Sequence, residues 1–385
     1  MIRSRGAATC CPLLCEKTTL MRINSLKSVY LQGLCFLFFP ISLLMMEACK
    51  EEPYVPPIVD TGRIVFSSFP EVVHLYGRNE GPRDVFGQLR DIASDSGMFV
   101  VSDMANDTVF HLLDGALQRV QRFGKEGEGP DELKFDPLLS KHHFARMGRF
   151  FCYEFARRSL TAWPFEGQKV REDTFFRYRL PDTVVYVQQV MVVDSALCVA
   201  LAEMQEGKLC FFNPFATPPS VLSFSPYVPQ IEGGQDVPDM GHYRGKLAAS
   251  PEGDEIVCVN SSFPQLEIYD RNGNLKKEVR SAEIEQFLSP DNRKDFFFYY
   301  DVDVTDKYIY ALYLGLNKKS PAAILLGTDS RIHVFDREGM PVAEVVLDRL
   351  VNAFCVDEKT GRIVGIDEGE EARPLVTWQL PEDLY

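Results

Sequence analysis

The sequence predicts an all-β protein, a six-bladed β-propeller with four antiparallel strands in each blade. Two observations lead to this prediction. A hairpin pattern of apolar run, polar turn and second apolar run returns six times at intervals of 48 to 56 residues. Further turn signals between apolar pairs follow most copies and supply the remaining strands of each repeat. A fixed period of this size indicates stacked or circular repeats, and four-stranded repeats are typical of a propeller.

The six hairpins share this pattern, although the second copy is weak. They lie at residues 92–100, 144–152, 192–199, 248–257, 302–310 and 354–364. Second hairpins follow, as at Asp114-Gly115, because Asp starts a tight turn and Gly accepts its left-handed conformation. Two such turns start at Asp270 and Asp336, 66 residues apart, so that blade carries an insertion. We expect a short helix at 282–288, stopped by Pro290, and a long loop at 226–242.

Strand-like segments at 63–66 and 72–75 precede the first hairpin. The last repeat offers residues 376–380 as a third strand. We therefore expect the N-terminal segment to supply the outer strand of the last blade. Closing the ring in this way removes sheet edges that would otherwise invite aggregation.

The first 48 residues have the organisation of an export signal. A short basic region begins at Met21, an apolar run spans 29–46, and Ala48 precedes Cys49. We expect residues 1–20 to lie upstream of the true start at Met21. An uncleaved membrane helix is the alternative, since about eighteen apolar residues can just span a bilayer core.

The sequence around Cys49 resembles the lipobox of bacterial lipoproteins, although Glu47 and Met46 depart from its usual residues. The resemblance implies cleavage before Cys49 and acylation, with palmitate-like chains, of the new terminus. The next residues, Lys50, Glu51 and Glu52, resemble the surface-export tag of Bacteroidetes lipoproteins, and a solvated, charged linker is the alternative interpretation. The predicted organisation is then a signal region at 1–48, a lipidated, Pro-rich tether at 49–61 and a propeller at 62–385.

Composition limits the possible partners. The formal charge is −14, of which residues 1–48 contribute +3 and the remainder −17. An acidic body repels phosphate backbones, so we expect no nucleic-acid partner, and we expect a monomer. Five cysteines after Cys49 lie inside apolar runs at no metal-like spacing, so we expect small buried side chains and neither disulfides nor zinc.

No motif in the sequence predicts catalysis, a cofactor or a metal. The six histidines lack ligand spacing, and no Gly-x-Ser-x-Gly elbow occurs. Asp301, Asp303 and Asp306 crowd near one hairpin; we interpret them as turn residues, with a calcium site as the alternative. The glycine-rich loop at 127–132 is interpreted as a blade connection. Propellers bind at the mouth of the channel, and four loop residues are weak candidates there: Arg83, Lys125, Tyr243 and Arg244.

The hairpin Ala249-Ser250-Pro251-Glu252-Gly253-Asp254 resembles the repeat of TolB-type propellers. Together with the Gly127–Glu132 loop and Cys49, it makes residues 60–385 similar to TolB-like six-bladed lipoproteins of Bacteroides-type bacteria. The resemblance implies a fold and no catalytic residues. We therefore expect a non-enzymatic, lipid-anchored binding or scaffold protein for an unknown protein or glycan, on the outer membrane and facing outward. The alternatives are a propeller glycan lyase or hydrolase, and a periplasmic partner of an envelope complex.

Overall fold

Six sheets of mainly antiparallel strands, arranged in a ring, contain nearly all of the regular secondary structure in the described chain. The computed structural model describes residues 54–83, 85–105, 107–134, 137–141, 143–229, 243–288, 296–317, 329–367, 369 and 372–385. The predicted signal region and Lys50, Glu51 and Glu52 lie outside these residues. The predicted six-bladed propeller is confirmed.

The first three blades each run from the inner strand outward. The first has β5 (Leu89–Asp95), β6 (Met98–Asp103), β7 (Thr108–Leu113) and β8 (Arg119–Lys125). The second has β9 (Leu138–Leu139), β10 (Arg149–Glu154), β11 (Ser159–Glu166), β12 (Lys169–Val170) and β13 (Phe176–Arg179). The third has β14 (Val187–Val192), β15 (Cys198–Ala202), β16 (Leu209–Asn213) and β17 (Ser220–Ser225).

The last three blades follow the same order. The fourth has β18 (Gly245–Ala249), β19 (Glu255–Asn260), β20 (Gln265–Asp270) and β21 (Leu275–Ser281). The fifth has β22 (Phe296–Val304), β23 (Tyr308–Asn317), β24 (Arg331–Asp336) and β25 (Pro341–Leu347). The sixth has β26 (Val351–Asp357), β27 (Arg362–Asp367) and β28 (Leu375–Gln379).

Helices are short. Helix α1 (Phe144–Met147) lies in the second blade, and three 3-10 helices cover Phe155–Arg157, Ile284–Phe287 and Glu382–Leu384. The helix predicted at 282–288 is thus one 3-10 turn, and Pro290 lies outside the described residues. The prediction for the second blade was wrong in detail. Phe144, predicted to start the inner strand, begins helix α1 instead, and its ring is buried. The inner strand of this blade is therefore β9, which precedes the helix.

Apolar packing between blades explains the ring. Within the described residues, six hydrophobic clusters each join two neighbouring blades. One of them closes the circle, since Ile92 and Phe99 of the first blade pack with Val364 and Leu375 of the sixth. Both faces of a middle strand are therefore covered, and β19 is buried along its whole length. Each blade depends on its neighbours for its core.

The N-terminal segment runs along the outside of three blades, and we call residues 58–79 the strap. Its strands are β1 (Ile58–Asp60), β2 (Arg63–Phe66), β3 (Val72–Leu75) and β4 (Arg78–Asn79). β4 pairs with β28 and completes the sixth blade, as predicted in outline. The two strands recognised in the sequence do not join the last blade. β2 pairs in parallel with β21 and extends the fourth blade, and β3 pairs in parallel with β25 and extends the fifth. β1 lies within the range predicted as tether.

Candidate functional site

The inner strands of all six blades converge on a central channel, and their side chains fill much of it. In every blade except the second, the inner strand ends in the turn of its repeat hairpin. We call this end of the ring, with the turns near Ser96, Asp194, Pro251, Asp306 and Lys359, the hairpin face. The opposite end, from which the chain passes between blades, is the connection face.

Charged side chains from four inner segments meet across the channel, although they are far apart in sequence. Lys141 is almost fully buried, and its Nζ lies 2.5 Å from Asp301 Oδ2 and 3.6 Å from Asp91 Oδ1. It also donates a hydrogen bond to the Phe354 carbonyl oxygen at 2.9 Å. Lys246 Nζ lies 3.7 Å from Asp91 Oδ2. We call Asp91, Lys141, Lys246, Asp301 and Asp303 the channel ion cluster.

Side-chain to backbone hydrogen bonds join neighbouring inner strands around the channel. The Phe354 N–H donates to Asp301 Oδ2 at 3.1 Å, and the Val356 N–H donates to Asp303 Oδ2 at 2.8 Å. Gln189 uses its whole amide on Leu247: it accepts from the N–H at 2.8 Å and donates to the carbonyl at 3.2 Å. Within the described residues, no inner strand pairs with the inner strand of another blade, so these polar side chains supply the hydrogen bonds that link neighbouring blades at the channel.

A cavity of about 30 Å³ opens from the channel ion cluster toward the hairpin face. Its polar lining consists of Ser94, Lys141, His143 and Asp303; the remaining lining is small or apolar: Ala93, Val192, Val193, Ala248, Ala249 and Cys355. A volume of this size holds about two water molecules. The Ser94 hydroxyl is already used, since it donates to the Val356 carbonyl oxygen at 2.9 Å.

The electrostatics of the channel differ from residue to residue. Burial disfavours the charged form of Lys141, but Asp301, Asp91 and Asp303 outweigh it and hold the pKa of Lys141 above its usual value. Burial raises the pKa of Asp303 to about 6, against the opposing effect of Lys141. Burial also lowers the pKa of His143, which favours its neutral form. Burial also raises the pKa of Asp301, and the nearby Lys141 opposes that rise.

These contacts correct the interpretation of Asp301 and Asp303 as turn residues. Both belong to β22 and face the channel, where Lys141 neutralises Asp301. Only Asp306 lies in the turn, where its N–H donates to Glu358 Oε1. Among the described residues, no group of three or more His, Cys, Asp or Glu side chains is arranged to hold a metal ion. Sequence reasoning missed Lys141 because its partners lie in other blades.

The four binding candidates do not converge on the cavity. Arg83 and Arg244 are exposed, and both precede inner strands at the connection face. Lys125 ends β8 and pairs with Glu132 at 2.5 Å. Tyr243 is buried, packs near Tyr227 and donates to the Pro229 carbonyl oxygen at 2.8 Å. Binding through these residues stays a prediction, and for Tyr243 it would require a ligand to displace core packing.

The glycine-rich loop is a blade connection held by one buried carboxylate. Glu154 accepts hydrogen bonds from the Arg157 and Arg177 guanidinium groups, from the Thr161 hydroxyl and from the Lys134 N–H. The two arginines donate in turn to carbonyl oxygens of the loop: Gly129, Pro130 and Glu132. Three carbonyl oxygens of the loop are thus bound within the protein.

The remaining histidines and cysteines of the described chain are mostly structural. His333 is buried beside Tyr299 and Tyr313, and burial lowers the pKa of its ring to about 3. His111 is buried 3.2 Å from Asp103. His142 and His242 lie outside the described residues. The five cysteines are free and buried, as expected from sequence: Cys152, Cys198, Cys210, Cys258 and Cys355.

The comparisons with known proteins agree with this architecture. A sequence model for the TolB-like 6-blade propeller-like family matches residues 249–359, which confirms the resemblance seen in the hairpin at Ser250. No curated protein matches the chain in sequence. The fold is therefore a six-bladed propeller of TolB-like type.

Two solved structures from Bacteroides are similar. One is a Bacteroides fragilis protein described as exported, with 9% identity, a TM-score of 0.51, and coverage of 82% of this chain and 97% of that one. The other is a member of the DUF4221 family from Bacteroides vulgatus, with 10% identity, a TM-score of 0.50, and coverage of 79% and 95%. At such identities the likeness concerns the fold. Within the described part of the chain, no helix has the length and apolar character needed to cross a membrane.

Proposed function

We propose that this protein is a lipid-anchored propeller of the bacterial outer membrane that acts by binding a protein or glycan rather than by catalysis. The signal-like residues 21–48, Cys49 and the acidic tag after it support the anchor. A similarly folded Bacteroides fragilis protein, described as exported, fits a propeller that leaves the cytoplasm.

The channel ion cluster is the observation that favours binding over catalysis. Lys141 bonds Asp301 and the Phe354 carbonyl oxygen, so the strongest charges of the channel bind one another. The remaining cavity of about 30 Å³ is far below the roughly 300–1,000 Å³ of ordinary small-molecule sites. A protein or glycan ligand would therefore lie on an outer face of the ring, and the filled channel would serve to hold the blades together.

Acyl labelling tests the anchor. An alkyne fatty acid fed to the native bacterium should label the wild-type protein and leave Cys49→Ala unlabelled and in the soluble fraction. Unchanged membrane attachment of Cys49→Ala would refute the proposal. Protease added to intact cells should degrade a surface-facing propeller; protection would favour the periplasmic partner of an envelope complex instead.

One observation favours the enzymatic alternative. Asp303, with its raised pKa, and His143 line the same cavity, and perturbed carboxylates in cavities are common among general acids and bases. Purified wild type and Asp303→Asn would be incubated with a panel of bacterial and host glycans. Cleavage products from wild type alone would support a lyase or hydrolase; the absence of products from both would favour pure binding.

A further inference from the structure

The first described residues form an exposed apolar patch at the rim of the fourth blade. This rim patch consists of Tyr54, Val55, Ile58 and Val59, with exposed fractions of 41%, 53%, 71% and 56%. Ile58 and Val59 are successive residues of β1, so their side chains point to opposite faces of the strand. Both faces of this edge strand are therefore apolar and open.

The rim patch has a fixed place in the fold. β1 pairs with β2 in the register Ile58 with Val65, and β2 pairs in parallel with β21. The Val55 N–H also donates to Ser68 Oγ at 3.1 Å. β21 runs toward the connection face. β2 is parallel to β21 and has the same direction, whereas β1 is antiparallel to β2 and begins near the connection face. The chain therefore enters the propeller at the outer rim of the fourth blade, on the side of the connection face.

The distance along the chain from Cys49 is short. Tyr54 follows Cys49 by five positions and Ile58 follows it by nine. At most about 3.6 Å per residue, these segments reach about 18 and 32 Å. If Cys49 carries acyl chains, the rim patch cannot leave the neighbourhood of the lipid surface, and its local concentration there is high.

We propose that the rim patch rests in the interfacial layer of the membrane, with lipid as its partner; this inference rests on the lipid anchor proposed above. The four partly exposed side chains offer roughly 400 Å² in all, divided between the two faces of β1, well below the ~800 Å² per partner of a stable protein interface. A membrane contact needs less area, because the acyl chains already supply attachment and the patch only adds to it. Tyrosine is common at this depth, since its ring is apolar and its hydroxyl polar.

An orientation follows from this contact. The rim of the fourth blade, on the side of the connection face, lies against the bilayer. The hairpin face, with the channel cavity, is turned away from the membrane. A partner arriving from solvent would therefore meet the hairpin face first.

Site-specific quenching tests the contact. Ile58→Trp and, as a matched control, Leu222→Trp would be made in the chain that begins at Cys49, which retains all six described sheets. Leu222 is 57% exposed on the outer strand β17 of the third blade and does not belong to the rim patch. A maleimide lipid is coupled to Cys49, since the other cysteines are buried, and the protein is bound to vesicles of phosphatidylethanolamine and phosphatidylglycerol brominated in the acyl chains. The native Trp163 and Trp378 are buried and give a common background.

Contact at about 5–10 Å depth predicts that the fluorescence of the Ile58→Trp variant is quenched at least about twofold more strongly than that of the Leu222→Trp control. Equal quenching in the two variants would overturn the inference. A blue-shifted emission of Ile58→Trp without quenching would also overturn it, because it would indicate a protein partner or a second copy on the patch. Since the lipid is attached chemically, the outcome is independent of acylation in cells, which the labelling of Cys49→Ala tests separately.

Discussion

Replacing Lys141 with methionine probes the channel ion cluster most sharply. At an effective dielectric constant of about 20, its attraction to Asp301 and Asp91 is about 5–7 and 4–5 kcal/mol, and desolvation offsets much of this. Removing the ammonium leaves the buried Asp301 carboxylate without its ion partner and leaves Asp91 with Lys246 alone, at 3.7 Å. We expect Lys141→Met to lower the free energy of unfolding by about 3–5 kcal/mol, measured by guanidinium unfolding with tryptophan fluorescence.

The pH dependence of the loss identifies its cause. Without Lys141 the carboxylates hold their protons more tightly in the folded state, so the loss should be larger at pH 8 than at pH 5. Adding Asp301→Asn to Lys141→Met should recover part of it, since one unpaired charge is removed. The control is Arg122→Met, which breaks the exposed pair with Asp107 at 3.2 Å and should cost less than about 1 kcal/mol. Similar losses for both single variants, with no dependence on pH, would refute the reasoning.

Three further outcomes are expected. The pKa of Asp303 is about 6 when folded and about 3.9 when unfolded, so the folded state binds the extra proton and the contribution of Asp303 to stability is lost as the pH rises. Between pH 4 and pH 7, the free energy of unfolding of wild type should therefore fall by about 1–3 kcal/mol relative to that of Asp303→Asn, measured by denaturant unfolding of both proteins; a difference that does not change with pH would contradict this. Phe66→Ala removes a buried ring of the strap between the fourth and fifth blades and should lower the free energy of unfolding by about 3–5 kcal/mol. The control Val72→Ala changes an exposed residue of the same strap and should alter it by less than about 0.5 kcal/mol. Equal effects of the two changes would show that the strap does not hold the ring. A thiol reagent added to the folded chain beginning at Cys49 should modify only Cys49. The propeller cysteines are buried, and burial raises their pKa values, to about 12 for Cys210. Rapid reaction of more than one thiol would contradict this packing.

Repetition made the blades predictable from sequence, because each hairpin has the same local chemistry and the same need to cover two faces. The second blade departs where that local pattern is broken. Phe144 looks like the start of an apolar strand, but its backbone turns helically and the Ala145 N–H donates to Asp95 Oδ2 of the first blade. A contact between blades thus decided a local conformation.

The contacts in the channel and along the strap could not be predicted from local sequence patterns, because they also depend on how the blades are arranged. Lys141 and Asp301 are 160 positions apart and meet only because the ring closes. Asp301 lies among aromatic and valine residues shortly before a turn, and nothing near it in the sequence indicates a partner. Likewise β2 and β3 are recognisable as strands, but which open sheet edge each one joins depends on the positions of the fourth and fifth blades.

Mass spectrometry of the N-terminal peptide, from protein purified out of native membranes, tests the central functional claim most directly. A lipid-anchored propeller predicts a peptide that begins at Cys49 and carries acyl groups on that residue. A peptide that retains residues 21–48, or an unmodified Cys49 at the terminus, would contradict the account.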